Sequence, residues 1–156
     1  MEKKQFKRVT TKIYEEYGFV KKGNYYYLNL EDVLICSGFD SMYGVTYLAY
    51  NFSVKAIHSD EERKPNNMFD GYDSIQNEIY FDKNAQGYHM REIRFEDWTE
   101  EYYTDKLSEL LHYYFDPYKE NALAHIKRAG EEMGYVHKNE LVLVNEKAKE
   151  YISHVR

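Results

Sequence analysis

Asp82-Lys83-Asn84-Ala85-Gln86-Gly87 copies the opening of a calcium-binding EF-hand loop, with oxygen-bearing side chains at alternate positions and glycine at the sixth. The copy fails at the twelfth position, where the bidentate glutamate that closes such a site is replaced by Ile93 and Glu92 falls one residue early. The segment therefore reads as the polar tip of a hairpin. The six histidines, His58, His89, His112, His125, His137 and His154, are dispersed and form no close H-x-x-x-H pair or zinc signature. No metal site is expected from these spacings. Acid–base chemistry has one candidate place, a cleft beneath the segment from about His58 to Ser74, lined by Asp70, Asp73 and His89 with Glu78 nearby. Acidic residues in such a polar segment are more often simply solvated. Cys36, between Ile35 and Ser37 in an apolar run, reads as a buried thiol and not as a nucleophile. Phosphate-cradling, dinucleotide and nucleophile-elbow fingerprints are all missing, so no cofactor is expected and catalysis is the weaker reading.

Tyrosine is the residue that stands out, with 18 in the chain and runs at Tyr25-Tyr26-Tyr27, Tyr102-Tyr103 and Tyr113-Tyr114. Adjacent residues point to opposite faces of a strand and diverge by about 100° on a helix, so each run must send some rings outward. Tyrosine joins a large apolar ring to a polar tip at low rotamer entropy, which suits binding surfaces, although the same ring fills cores with its hydroxyl kept wet. Within the helical stretch beginning near Asp97 or Thr99, Glu101, Asp105, Ser108 and His112 form a polar stripe, flanked by Tyr102, Lys106, Glu109 and Tyr113. Glu101, Tyr102, Asp105, Glu109, His112 and Tyr113 are therefore the candidate interface for a protein partner, and their acidity selects a basic one. The plain reading of such a stripe is a solvated helix face.

Composition sets the outer bounds. A chain of 156 residues with 43% hydrophobic and 31% charged residues has the size and mixture of one globular domain, here taken as 1–156. A formal charge of -6 argues against duplex nucleic acid as a partner, and the basic cluster among the first 24 residues makes the chain dipolar. No apolar run is long enough for a membrane span, no leader-like stretch follows Met1, and a single cysteine suits a reducing compartment, so a cytoplasmic protein is expected. Oligomeric state leaves no mark.

The elements that must position these residues follow from periodicity. Phe6, Val9, Ile13 and Tyr17 predict a helix from about Glu2 to Tyr17, capped by Gly18. Asn24–Leu30 and Val33–Cys36 read as an antiparallel hairpin. Val45–Lys55 alternates as a central strand, with Leu48, Tyr50, Phe52 and Val54 on one face and Tyr47, Asn51 and Ser53 on the other. Ile79–Phe81 and Tyr88–Phe95 are expected to form a second hairpin, bringing the count to five strands. A second helix, with Tyr103, Leu107, Leu110, Leu111 and Tyr114 inward, should end at Asp116-Pro117, where the same pair starts a third running to Gly134. Leu141–Val144 fits either a strand or a helix, and a last helix is favoured from about Asn145. The order gives an α+β fold, an antiparallel sheet of about five strands with an N-terminal helix and two to three C-terminal helices.

The opening helix, the passage Gly18-Phe19-Val20-Lys21-Lys22-Gly23-Asn24-Tyr25-Tyr26-Tyr27 and the hairpin after it resemble a bacterial family known as domain of unknown function 4304. The most specific piece is G-F-x-K-K-G leading into an aromatic strand. Leu34-Ile35-Cys36-Ser37-Gly38-Phe39 departs from the more polar ending common in that family. The resemblance implies a small bacterial α+β domain and supplies no catalytic residues. Together these readings favour a non-catalytic protein-interaction module, regulatory or immunity-type, over a small-ligand binder or hydrolase.

Overall fold

The structure, a computed structural model, describes residues 1–58, 71–133 and 143–156. It is α+β: a five-stranded antiparallel sheet with helices on one face. The first helix, α1, spans Lys3–Tyr17 and turns Phe6, Val9, Ile13 and Tyr14 inward. Gly18 ends it at φ 122°, its N–H reaching the carbonyls of Tyr14 and Glu15, a backbone shape that strains any residue with a Cβ.

The strands run in sheet order as they do in sequence: β1 (Val20–Lys22), β2 (Tyr25–Asn29), β3 (Val33–Met42), β4 (Val45–Val54) and β5 (Asn77–Glu78). Each consecutive pair is antiparallel. β3 and β4 match residue for residue from Val33↔Val54 to Met42↔Val45 and turn through Tyr43 (φ 52°) and Gly44 (φ 78°), the two positive dihedrals of a tight hairpin loop. This register carries β3 six residues beyond Cys36, where the sequence pattern suggested it would stop. The alternation expected of β4 holds, since Leu48, Tyr50, Phe52 and Val54 all join the helix-side core.

The count of five strands is met by a different set. β1 was not anticipated: all three of its residues are exposed and two are lysines, and what makes it a strand is pairing, Val20 opposite Tyr27. The expected second hairpin does not form. Asn77–Glu78 pair with β4, Ile79 N–H reaches Leu48 O, and residues 87–90 coil into a short 3₁₀ turn. Phe81 and Asp82 both donate to Met90 O, so the Asp82–Gly87 tip does close on itself, as a loop and not between strands.

The second helix, α2 (Glu100–Met133), is continuous through Asp116-Pro117, where a boundary was expected. Asp116 cannot serve as a cap because its carboxylate accepts hydrogen bonds from Tyr17 Oη (2.7 Å) and His112 Nδ1 (2.9 Å). The break falls instead at Asn121, whose backbone is extended (φ -163°, ψ 94°) and whose Oδ1 accepts the Ala124 N–H, restarting the helix. At the start of α2 the cap is Thr99, which accepts from Tyr102 N–H at 3.1 Å, without a reciprocal glutamate. The last helix, α3 (Glu146–Ser153), begins where expected, with Asn145 Oδ1 accepting from Lys147 and Ala148. Leu143, just before it, makes a single bridge to Ser74. Among the described residues, no helix is long and apolar enough to cross a membrane.

The core lies between the sheet and α1 and α2, and its tyrosines are hydrogen-bonded as well as buried. Tyr14 Oη shares a 2.8 Å hydrogen bond with Ser37 Oγ, which donates on to Ala49 O. Tyr103 Oη meets Thr10 Oγ1, and Tyr26 Oη meets Thr11 Oγ1, both at 2.8 Å. A buried hydroxyl without a partner would cost roughly 1–3 kcal/mol, so these pairings are what allow tyrosine to act as core filler here.

Candidate functional site

α2 divides lengthwise. Tyr103, Leu107, Leu110, Leu111 and Phe115 are buried against α1 and the sheet, while Glu101, Tyr102, Asp105, Glu109, His112 and Tyr113 are all exposed. At 100° per residue those six fall within about 120° of one another, so the helix gathers them on one strip. Glu100 and Glu101 in the first turn also complement the positive end of the helix dipole. The strip is anchored at its lower end. Asp116 is bound by Tyr17 and His112, and these hydrogen bonds hold its carboxyl below the ordinary range. Lys119 lies 3.7 Å over the Tyr17 ring and donates to Tyr17 O at 2.6 Å, fixing the end of α1 to α2.

The candidate cleft beneath residues 58–74 is not assembled by the described residues. Asp73 is fully buried as a structural carboxylate: Oδ2 accepts the Val54 N–H at 2.6 Å, and Oδ1 meets His58 Nε2 at 2.7 Å. His89 is exposed and pairs with Glu92 at 2.7 Å, next to Ile93, which is bonded to Thr46 near the start of β4. Val54 and Thr46 stand eight residues apart on one strand, roughly 26 Å, so Asp73 and the segment carrying His89 attach toward opposite ends of β4. Asp70 lies outside the described residues. Glu78 is held by Arg91 at 2.5 Å, both nearly buried. Burial raises the Glu78 pKa and the guanidinium offsets part of that. Rings of Tyr47 and Tyr88 enclose Arg91 at 5.6 and 4.7 Å, so this pair is sealed among aromatic rings where β5 meets β4.

Cys36 is buried, and burial pushes its thiol pKa up while hydrogen bonds with Tyr72 and Tyr27 hold it down. A thiol so placed is a poor nucleophile. Among the described residues no three His, Cys, Asp or Glu side chains converge as metal ligands.

The structure does assemble a cleft elsewhere, of about 570 Å³, where β4, the 80–90 loop and the second half of α2 meet. Tyr50 and Tyr118 form its floor with their hydroxyls hydrogen-bonded to each other, and burial drives both pKa values upward. Tyr80, Tyr113 and Tyr114 form one wall, tied together where Tyr114 Oη accepts the Tyr80 N–H at 3.1 Å. Lys83 sits on the rim, donating to Tyr113 Oη at 3.1 Å with its ammonium 4.2 Å over the ring. The opposite wall carries His125, Arg128 and Glu132 at helical spacing. Tyr113 therefore belongs to both the exposed strip and the cleft. The rest of the cleft escaped the sequence reading; its only local sign is the i, i+4 pair Tyr114 and Tyr118, followed by His125 and Arg128 on the same helix.

Comparison with known proteins returned no matching family model, no matching curated protein and no matching solved structure.

Proposed function

We propose that the chain is a non-catalytic, cytoplasmic protein-interaction module whose α2 strip docks a basic partner, in a regulatory or immunity-type role. The observation that carries this reading is the strip itself: Glu101, Tyr102, Asp105, Glu109, His112 and Tyr113 are exposed on one side of a helix whose other side is locked into the core. A surface that is rigid before contact loses little entropy on binding. Two exposed tyrosines offer apolar area, and three carboxylates steer a cationic partner by an attraction that salt screens. The resemblance to domain of unknown function 4304 is compatible with such a role without specifying it.

The test is recovery of the tagged chain from its native host at moderate salt, beside a Glu101→Lys, Asp105→Lys, Glu109→Lys variant. The expected result is a stoichiometric basic protein that is released by high salt and absent from the variant, with both forms melting alike. A partner retained equally by the variant, or no protein partner at all, overturns the proposal.

A second reading as a small-ligand binder has its own supporting observation, the tyrosine-floored cleft, which the exposed strip does not require.

A further inference from the structure

The cleft has the size and lining of a ligand site. Its volume of about 570 Å³ lies within the range of pockets that enclose small molecules. The floor and one wall are aromatic, and Pro117, Met90 and Ala129 add apolar surface, so a flat ring is the shape that fills it. Two cations, Lys83 and Arg128, face one carboxylate, Glu132, a local positive excess in a chain whose formal charge is -6. Lys83 is already oriented by Tyr113, and among the described residues Arg128 has no ion-pair partner. An anionic group between them would gain charge-assisted hydrogen bonds without displacing an existing ion pair.

The remaining polar ring of the lining adds no charge. His125 stands edge-on to Tyr118 at 4.6 Å, and its Nδ1 is shielded from solvent with no hydrogen-bond partner among the described residues. Burial, reinforced by Arg128, lowers its pKa, so the ring is neutral near pH 7. That nitrogen is closed off from the cleft, so His125 offers a ligand a neutral ring and no charge. A polyphosphate does not fit these features, because it needs more donors than two side chains provide and has no use for an aromatic floor.

We infer that this cleft binds a small aromatic carboxylate, with the ring over Tyr50 and Tyr118 and the carboxylate between Lys83 and Arg128. The site does not depend on the α2 strip having a protein partner, and its test uses none.

The experiment is an NMR titration of the full chain with 4-hydroxybenzoate, reading the imidazole of His125 and the rings of Tyr50 and Tyr118. Benzoate and the uncharged 4-hydroxybenzamide serve as comparison probes. Saturable shifts at those three residues at millimolar 4-hydroxybenzoate are expected, with about tenfold weaker binding of the amide. Arg128→Gln, an exposed change that leaves melting unaltered, should weaken 4-hydroxybenzoate about tenfold and the amide less than twofold. Benzoate, which keeps the ring and the carboxylate, should bind with similar affinity. Ala129→Phe, which fills the cleft, should abolish all three. Absence of saturable shifts at millimolar concentrations, equal affinity for carboxylate and amide, or indifference to Arg128→Gln overturns the assignment.

Discussion

Tyrosines pack in two places in this molecule, and they end in different states. Between α1 and the sheet, Tyr14, Tyr26 and Tyr103 each find a serine or threonine hydroxyl at 2.8 Å, and the region is closed. Between β4 and the second half of α2, the hydroxyls of Tyr50 and Tyr118 bond to each other, Tyr113 is exposed, and His125 Nδ1 has no hydrogen-bond partner among the described residues. The residue type is the same, and what differs is the supply of small hydroxyls on the facing element. α1 provides Thr10 and Thr11 at the required positions, while the facing stretch of α2 provides Pro117, Ala129 and His125. Both clusters bury rings, Tyr50 and Tyr118 included, but the one facing threonine and serine is closed, whereas the one without them borders an open cleft.

Substitution should expose that contrast most strongly when a whole ring is removed. Tyr103→Ala deletes a fully buried ring stacked among Phe6, Phe81 and Trp98 and should destabilise by about 3–5 kcal/mol. Tyr113→Ala, on the exposed wall, should stay within about 0.5 kcal/mol. Urea denaturation of both variants measures this, and comparable losses would erase the distinction between the regions.

Alkaline pH should act next in size. Burial raises the pKa of Tyr14, Tyr50, Tyr103 and Tyr118, whereas in the unfolded chain these phenols ionise near pH 10. Their contribution is complete below about pH 10 and is lost as pH rises above it, because only the unfolded state then releases the protons. The slope is about 1.4 kcal/mol per pH unit for each phenol kept neutral. Denaturation midpoints followed with tyrosinate absorbance should fall together above pH 10; ionisation of these rings in a chain that stays folded would contradict it.

The smallest change tests the hydroxyl pairing itself. Tyr14→Phe removes a hydrogen bond yet leaves Ser37 donating to Ala49 O, so the loss should be about 1–1.5 kcal/mol. His125→Phe, which removes an unpaired nitrogen, should be neutral or slightly stabilising by thermal melting. Reversal of that order would mean the two regions had been assigned the wrong way round.

Much of the scaffold can be read from residue spacing because it is set locally. Phe6, Val9 and Ile13 mark α1, Gly18 its end, Asn145 the start of α3, and the alternation from Val45 the long central strand. Reading fails where a partner decides. Val20–Lys22 has no strand pattern and becomes one through β2, while Tyr88–Phe95 has the composition of a strand but opens in a 3₁₀ turn and touches β4 through the Ile93 N–H. Asp116-Pro117 carries the sequence signs of a helix boundary, but Tyr17 and His112 occupy the capping carboxylate. The exposed strip on α2 was legible for the same local reason as the helix. The cleft was not, since Tyr50, Lys83 and Arg128 converge only once the sheet and α2 have packed.

The consecutive strand order has a kinetic consequence. From β1 to β4 each strand follows its neighbour after a short turn, so this part of the sheet can grow outward from the Tyr43-Gly44 turn with little loop entropy lost at each step. Closing α1 onto α2 is different, for Thr10 and Tyr103 meet across 93 positions of chain, which makes that docking the expected slow event in refolding. The single tryptophan, Trp98, packs on Tyr103 at this seam. Its fluorescence in a stopped-flow trace should therefore lag behind the circular dichroism of the sheet.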